Sequence, residues 1–326
     1  MIGVGASILF SIHGDRLFTS IGNQKELREN VEDCYSEATT GTVMDKVIDA
    51  NELLRQYAAG ERDFRGIEIA NANFRAADLQ NANLKGAVLP NANFIGANLF
   101  GVNLREAKLT GSQIQQANCQ EANLIGTDLT NANLSHSELQ GGNLRGTNAQ
   151  QANFTNADLQ EVTLCEADLS YANLEGVNLS HANLTRTNLT GAVLRKAVLE
   201  SANLTVARLT EANLEDCTLT KAFLNNANLR DANLCRTDLS FAKLSSANLA
   251  GANLSHAQLR FTNASWATLR DSNLRSSSMF RTNLSWSNLS KADLGKAVLI
   301  GANIRKTNFS KANLEDTIMP EATEND

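Results

Sequence analysis

From Phe64 to Met319 every residue whose number ends in 4 or 9 is apolar or small, an unbroken run of 52 positions of which 39 are Leu. Two residues before each of them the side chain is small, as in Ala72, Ala77, Ala82, Ala87, Ala92 and Ala97, with Arg62 and Ile67 at the start as exceptions. Between the small residue and the Leu stands Asn or Asp in most units, and the last two places vary and are mostly polar. A period of five fits neither an amphipathic helix at 3.6 nor a plain strand at 2. The chain must turn once per unit.

If each unit forms one short extended side, the Leu and the small residue two places before it point inward together, and the other three side chains face water. Four sides close a coil, so residues 20 apart should stack at the ~4.8 Å spacing of paired strands. The 52 units then give about 13 coils and a rod roughly 60 Å long. Parallel crossovers favour a right-handed path. Leu would fill the axis in layers, Ala would keep the coil narrow, and Asn and Asp would support the turns through local backbone bonds. No charge occupies any of the 52 Leu-type positions, where it would be buried without a partner.

Composition agrees with a solenoid. The chain is 42% hydrophobic, carried by Leu and Ala, and contains only 2 Pro, whose missing N–H groups would interrupt a ladder between coils. Its five cysteines, Cys34, Cys119, Cys165, Cys217 and Cys235, are scattered and fit neither a disulfide framework nor a zinc site. Met1 to Ile12 is apolar but lacks a basic leader and falls short of the ~20 residues of a spanning helix. A cytoplasmic location is expected.

The runs ANFRAADLQNANLKGAVL and SYANLEGVNLSHANLTRTNLTGAVL resemble the pentapeptide-repeat family. That resemblance implies an all-β fold, a right-handed quadrilateral parallel β-helix. The segment NELLRQYAAGERDFRG, Asn51 to Gly66, looks like the short helical leader of cyanobacterial members. Asp49 or Asn51 can cap a helix through Leu53, Leu54, Tyr57 and Ala58 that covers the first coil's open edge. The expected organisation is an N-terminal extension over 1–43, disordered or weakly helical, with Lys25 to Ala38 as a detachable helix and Met44 as an alternative start. A helical cap follows over 44–62, then the β-helix over 63–320 and an acidic tail over 321–326. Val88, Val193, Val198, Phe223, Val298 and Ile318 depart from the motif by placing an apolar group on the surface.

Catalytic chemistry finds no footing, because catalysis needs groups converging on a concave site and a filled four-sided rod offers flat faces. His136 and His256 share a column but stand six coils apart, while His13 and His181 lie elsewhere. Glu161, Glu166 and Asp168 read as solvated surface carboxylates. Gly66, Gly86, Gly126 and Gly146 follow the solenoid's spacing rather than a phosphate loop. No catalytic residue, cofactor or metal is expected, and the chain reads as a non-enzyme.

Sorting the variable positions by coil gives a sharper feature. Phe241, Phe261 and Arg281 form one outward column with Phe280 beside them, and Trp266, Trp286 and Lys306, next to Arg305, form another one side further round, on an adjoining face. Both tryptophans of the chain stand here. Residues 241–311 hold ten Lys and Arg against Asp271 and Asp293, a local balance of +8 within a chain of net charge -6. Exposed aromatics beside basic groups are a binding surface in the making.

The expected function is a non-enzymatic interaction scaffold or regulator that binds a protein partner through these residues, the partner itself being unidentified. One alternative follows from the family resemblance, a DNA mimic that binds a type II topoisomerase such as gyrase. Another is direct binding of nucleic acid or an anionic membrane by the basic coils. The final coil's uncovered edge also suggests a homodimer through the C-terminal end.

Overall fold

The structure is a computed structural model that describes residues 48–321. The expectations for 1–43, for a start at Met44, and for the tail beyond residue 321 lie outside the described residues. Within them the chain forms one helix, α1, Ala50–Ala58, followed by an uninterrupted parallel ladder. Each bridge joins a residue to the one 20 positions on, from Asp63 with Asn83 to Val298 with Ile318. Four pentads therefore make one coil. Each side contributes a single bridging residue, the one just before the Leu position, rather than a long strand.

The backbone N–H groups of the pentad Ser201–Thr205 account for this geometry. Ser201 N donates to Thr220 O (2.9 Å) and Leu204 N to Phe223 O (2.7 Å) in the following coil, while Asn203 N donates to Ala182 O (2.9 Å) in the preceding one. Ala202 N closes a tight turn onto Leu199 O (3.1 Å). The remaining donor, Thr205 N, is too far round the corner for either neighbouring coil, and the Asn203 side chain accepts it at 3.1 Å. Every N–H of the unit thus has a partner.

In each such turn the third residue has a positive φ, +56° at Ser201, which is the signature of a type II turn. Glycine occupies this place without strain, as at Gly126 and Gly146 (φ +64° and +62°). For residues with a Cβ the conformation costs about 1–2 kcal/mol, and the closed coil imposes it all the same.

The Asn side chains also bond one another along the rod. Nδ2 of Asn233, Asn253 and Asn273 donates to Oδ1 of the residue one coil back, Asn213, Asn233 and Asn253, at 3.2, 3.1 and 3.2 Å. Because of these bonds the position before the Leu is mostly half-buried, and so is the position after it. Only the turn residue at positive φ is regularly exposed, which corrects the expectation that all three non-core side chains face water.

Inside, Leu184, Leu204 and Leu224 stack at 20-residue intervals and are fully buried, as are Ala182, Ala202 and Ala222. Each such Leu contributes roughly 1.5–3 kcal/mol through burial. Where Thr replaces Ala in the narrow column its hydroxyl donates to a carbonyl of the coil before, as Thr127 does to Leu104 O (2.7 Å) and Thr187 to Leu164 O (2.7 Å).

Helix α1 begins at Asp49, whose carboxylate accepts from Glu52 N at 2.7 Å. Its Leu53 is fully buried, Leu54 and Tyr57 pack against the core, and the Tyr57 hydroxyl donates to Gln80 O at 3.0 Å. Arg62, which breaks the small-residue rule, is exposed and lays its guanidinium over the Tyr57 ring at 3.8 Å. No helix among the described residues is long and apolar enough to cross a membrane.

Asp at the bridging position makes the same turn bond and carries a titratable group into it. Burial raises the Asp168 carboxyl, but hydrogen bonds from the Gln150 side chain (2.8 Å), from Ser170 (N–H at 2.9 Å) and from Asn188 (3.0 Å) outweigh it and hold the group below the ordinary carboxylate range. Its stabilisation is therefore complete above the unfolded value near ~3.9 and is lost as pH falls through the lower folded value. Asp168→Asn, which retains the turn acceptor but loses the charge and the acceptor facing Gln150, should lower stability near neutral pH by about 1 kcal/mol and make the decline of stability below about pH 4 shallower, as measured by urea unfolding across pH.

Candidate partner-binding surface

The residues singled out from the sequence fall at turns, so they form corners of the coil rather than sides. Phe241, Phe261 and Arg281 occupy one corner at φ +62°, +57° and +52°, and Trp266, Trp286 and Lys306 the next at +60°, +62° and +56°. The side between those corners carries the bridging residues Phe223, Lys243, Asn263, Asn283 and Asn303. The two aromatic columns therefore border a single face, a correction to the expectation that they lie on adjoining faces. Position along the chain located the columns, but only the turn geometry distinguishes a corner from a side.

Stacking at the coil repeat aligns the rings. Phe241 and Phe261 lie 5.0 Å apart and 5° from parallel, and Phe280 meets the edge of Phe261 at 5.5 Å and 83°. Trp266 and Trp286 lie 4.9 Å apart at 4°. Cations cover several ring faces: Lys306 Nζ lies 4.2 Å from the Trp286 centroid, the Arg281 guanidinium 5.3 Å from Phe280, and Lys243 Nζ 4.5 Å from Phe223. Each such contact is worth about 0.5–1 kcal/mol at an exposed site. The indoles remain well exposed, Trp266 at 59% and Trp286 at 43%.

Charge on this face has one sign. From Thr220 to Lys306 the face and its corners carry Lys221, Lys243, Arg260, Arg281, Arg305 and Lys306 and no Asp or Glu. Lys221, at the N-terminal margin, pairs with Glu200 at 3.2 Å. A shallow recess of about 540 Å³ beside Phe241 and Phe261 is lined by Lys221, Arg260 and Ser240, with Asp238 reaching it from the next side round. Five of the six exposed aromatic side chains among the described residues belong to this face, and Tyr171 stands apart from it.

Sequence reading missed Phe223, Lys243 and Arg260 as members of the cluster. Reading the bridging column, every twentieth residue from Phe223, would have found the first two. Both replace the usual Asn, and the N–H groups of Asn225 and Ser245 consequently lack the turn acceptor found elsewhere. The column of the Trp corner holds Gly66, Gly86, Gly126 and Gly146 near its start, where positive φ is free of strain, and Trp266 and Trp286 near its end.

Elsewhere several titratable groups are spent on structure. Glu166 pairs with Arg145 at 3.3 Å, and Asp168 is held in its turn. Burial pushes the Cys119 and Cys217 thiols up to about 12, and the Cys217 sulfur lies 2.8 Å from Leu194 O. Cys165 and Cys235 are half-buried and free. Among the described residues no group of three or more His, Cys, Asp or Glu is arranged to hold a metal ion.

The family model for pentapeptide repeats matches residues 67–105, 112–148, 143–186, 172–210, 207–240, 237–275 and 277–319. The chain belongs to the pentapeptide-repeat family. With that membership, the 20-residue parallel ladder is the family's right-handed β-helix. No curated protein sequence matches the chain. Among solved structures it is similar to HetL, a pentapeptide repeat protein involved in heterocyst differentiation regulation in the cyanobacterium Nostoc sp. strain PCC 7120, at 29% identity over 84% of this chain and 98% of that one, with a TM-score of 0.31. A pentapeptide repeat protein of the Arabidopsis thaliana thylakoid lumen matches at 31% identity over 30% of this chain and 68% of its own, with a TM-score of 0.30. A trypsin-treated form of QnrB1, a plasmid-mediated fluoroquinolone resistance protein, matches at 18% identity over 66% of this chain and 91% of its own, with a TM-score of 0.25.

The one-signed charge around the only two tryptophans of the chain is directly measurable. Iodide should quench native tryptophan emission several-fold more efficiently than caesium, because the local positive potential concentrates anions, and Arg305→Glu with Lys306→Glu should narrow that difference. Equal quenching by both ions in the wild type would contradict the electrostatic picture.

Proposed function

We propose that the chain is a non-enzymatic interaction scaffold or regulator of the cytoplasm, which binds a protein partner through the face between the two aromatic corners. The observation that carries this reading is the concentration of exposed rings and cations on one side of an otherwise Asn- and Ser-rich surface. Large rings held at a solvent-facing corner are the kind of side chain that anchors interfaces. The rod has about 13 coils on the ~4.8 Å spacing, with α1 as its N-terminal cap and the repeats filling 63–320. A DNA mimic would need carboxylates in regular array, whereas the bridging columns are mostly Asn and the C-terminal coils are basic.

The test is affinity capture with the full chain against a Trp266→Ala, Trp286→Ala variant of matched thermal stability. At least one protein should be retained by the wild type and lost from the variant. Identical retained sets would overturn the assignment to this face, and no retained protein at all would overturn the scaffold reading.

Self-association is a second reading, favoured by the last coil. Among the described residues the N–H groups of Ile304, Phe309 and Leu314 have no backbone acceptor, and Leu314 and Met319 are 40% and 36% exposed although they continue the buried columns. An end-to-end dimer would cover both the open edge and the uncapped core. Light scattering at tens of micromolar should report twice 35.2 kDa, and a monomer mass would remove this reading.

A further inference from the structure

We infer that the partner presents an extended acidic segment, whose carboxylates lie across the face bounded by the Phe and Trp corners. This deepens the scaffold reading above and rests on it. The first ground is unsatisfied charge. Lys243, Arg260, Arg281 and Lys306 have no carboxylate within 4.0 Å among the described residues. On the other sides of neighbouring coils Arg230, Arg236, Arg270 and Arg275 each pair with an Asp or Glu, while Lys291, Lys296 and Lys311 are unpaired as well. What sets this face apart is that no Asp or Glu stands among its unpaired cations, Asp238 reaching the recess only from the next side round, so that they are left for an external anion.

The second ground is the way the rings are presented. Their mutual stacking at 4.9–5.0 Å covers the π faces, and Lys306 covers Trp286 from the far side. A nucleic-acid base inserted between two rings would need about twice the ~3.4 Å stacking rise, so only the outermost ring of each stack offers a platform. What the stacks present to solvent is mainly their edges. Ring edges are the positive part of the aromatic quadrupole and attract carboxylates. Rings and cations therefore select the same sign of charge, and select it as carboxylate in preference to stacked bases.

Length sets the size of the segment. The face runs through five successive coils, from Phe223 to Asn303, whose four spacings amount to roughly 19 Å, and an extended chain covers that distance with about six residues. A short run of Glu or Asp along the rod axis would meet both corners at once.

The experiment follows tryptophan emission while an octaglutamate peptide, and separately an eight-nucleotide oligo(dT), is titrated into the full chain at low salt. Octaglutamate should give a saturable change that weakens at least about tenfold with Lys243→Glu and Lys306→Glu together, and weakens also as salt approaches about 0.5 M. Lys291→Glu with Lys311→Glu, the same charge change on another corner, should leave it unaltered. Absence of a saturable change, tighter binding of oligo(dT), or equal loss in both double variants would each overturn the inference. If octaglutamate fails while capture still depends on Trp266 and Trp286, the scaffold stands and the acidic segment falls.

Discussion

One backbone donor governs the architecture. A chain that turns every fifth residue can reach the coil above with two N–H groups, the coil below with one, and its own preceding turn with another. The fifth faces the corner, beyond any carbonyl of the ladder. An Asn or Asp two residues earlier supplies the acceptor, as Asn203 does for Thr205, and an unpaired buried donor would cost about 1–3 kcal/mol each time the motif recurs. The polar residue of the motif is therefore as structural as the Leu beside it. The Asn columns bonded along the rod are a by-product of placing that acceptor at every corner.

This arrangement confines what the molecule can do. The Leu and small positions are committed to the axis, the bridging position to the turn, and the interior has no room for a reaction centre. Recognition is left to the exposed corner residues and to those bridging sites where the turn bond has been relinquished. At Phe223 and Lys243 two such sites lie in successive coils beside the corner of Phe241 and Phe261. The surface there has exchanged a little local order for rings and charge, and neighbouring coils carry the loss because each coil is held by the ones on either side.

The fold was legible in the sequence because periodicity is a property of one dimension: the phase of Leu at 4 and 9 fixes the coil, the register and the interior without any knowledge of contacts. Helix α1 was legible too, from Asp49 and the spacing of Leu53, Leu54 and Tyr57. The candidate face was only half legible. Its corner columns emerged from counting in twenties, but Phe223 was read as a departure from the motif rather than as a neighbour of Phe241. The burial of the Asn positions was missed altogether, since side-chain bonds between coils depend on amide orientation that no spacing encodes.

The unbroken register has a consequence for how such a chain can change length. Removing or adding one pentad would leave every Leu facing inward and every turn intact, so the rod would still close. All side chains beyond the change would nevertheless be rotated by a quarter turn relative to those before it. Were this to happen between Lys243 and Arg260, Phe241 and Phe261 would no longer stack and the cationic face would be divided between two sides of the rod. Only changes in multiples of twenty residues preserve it. The angular phase of the surface is thus inherited through the length of the chain, and a face assembled over five coils constrains insertions far more tightly than the fold that carries it.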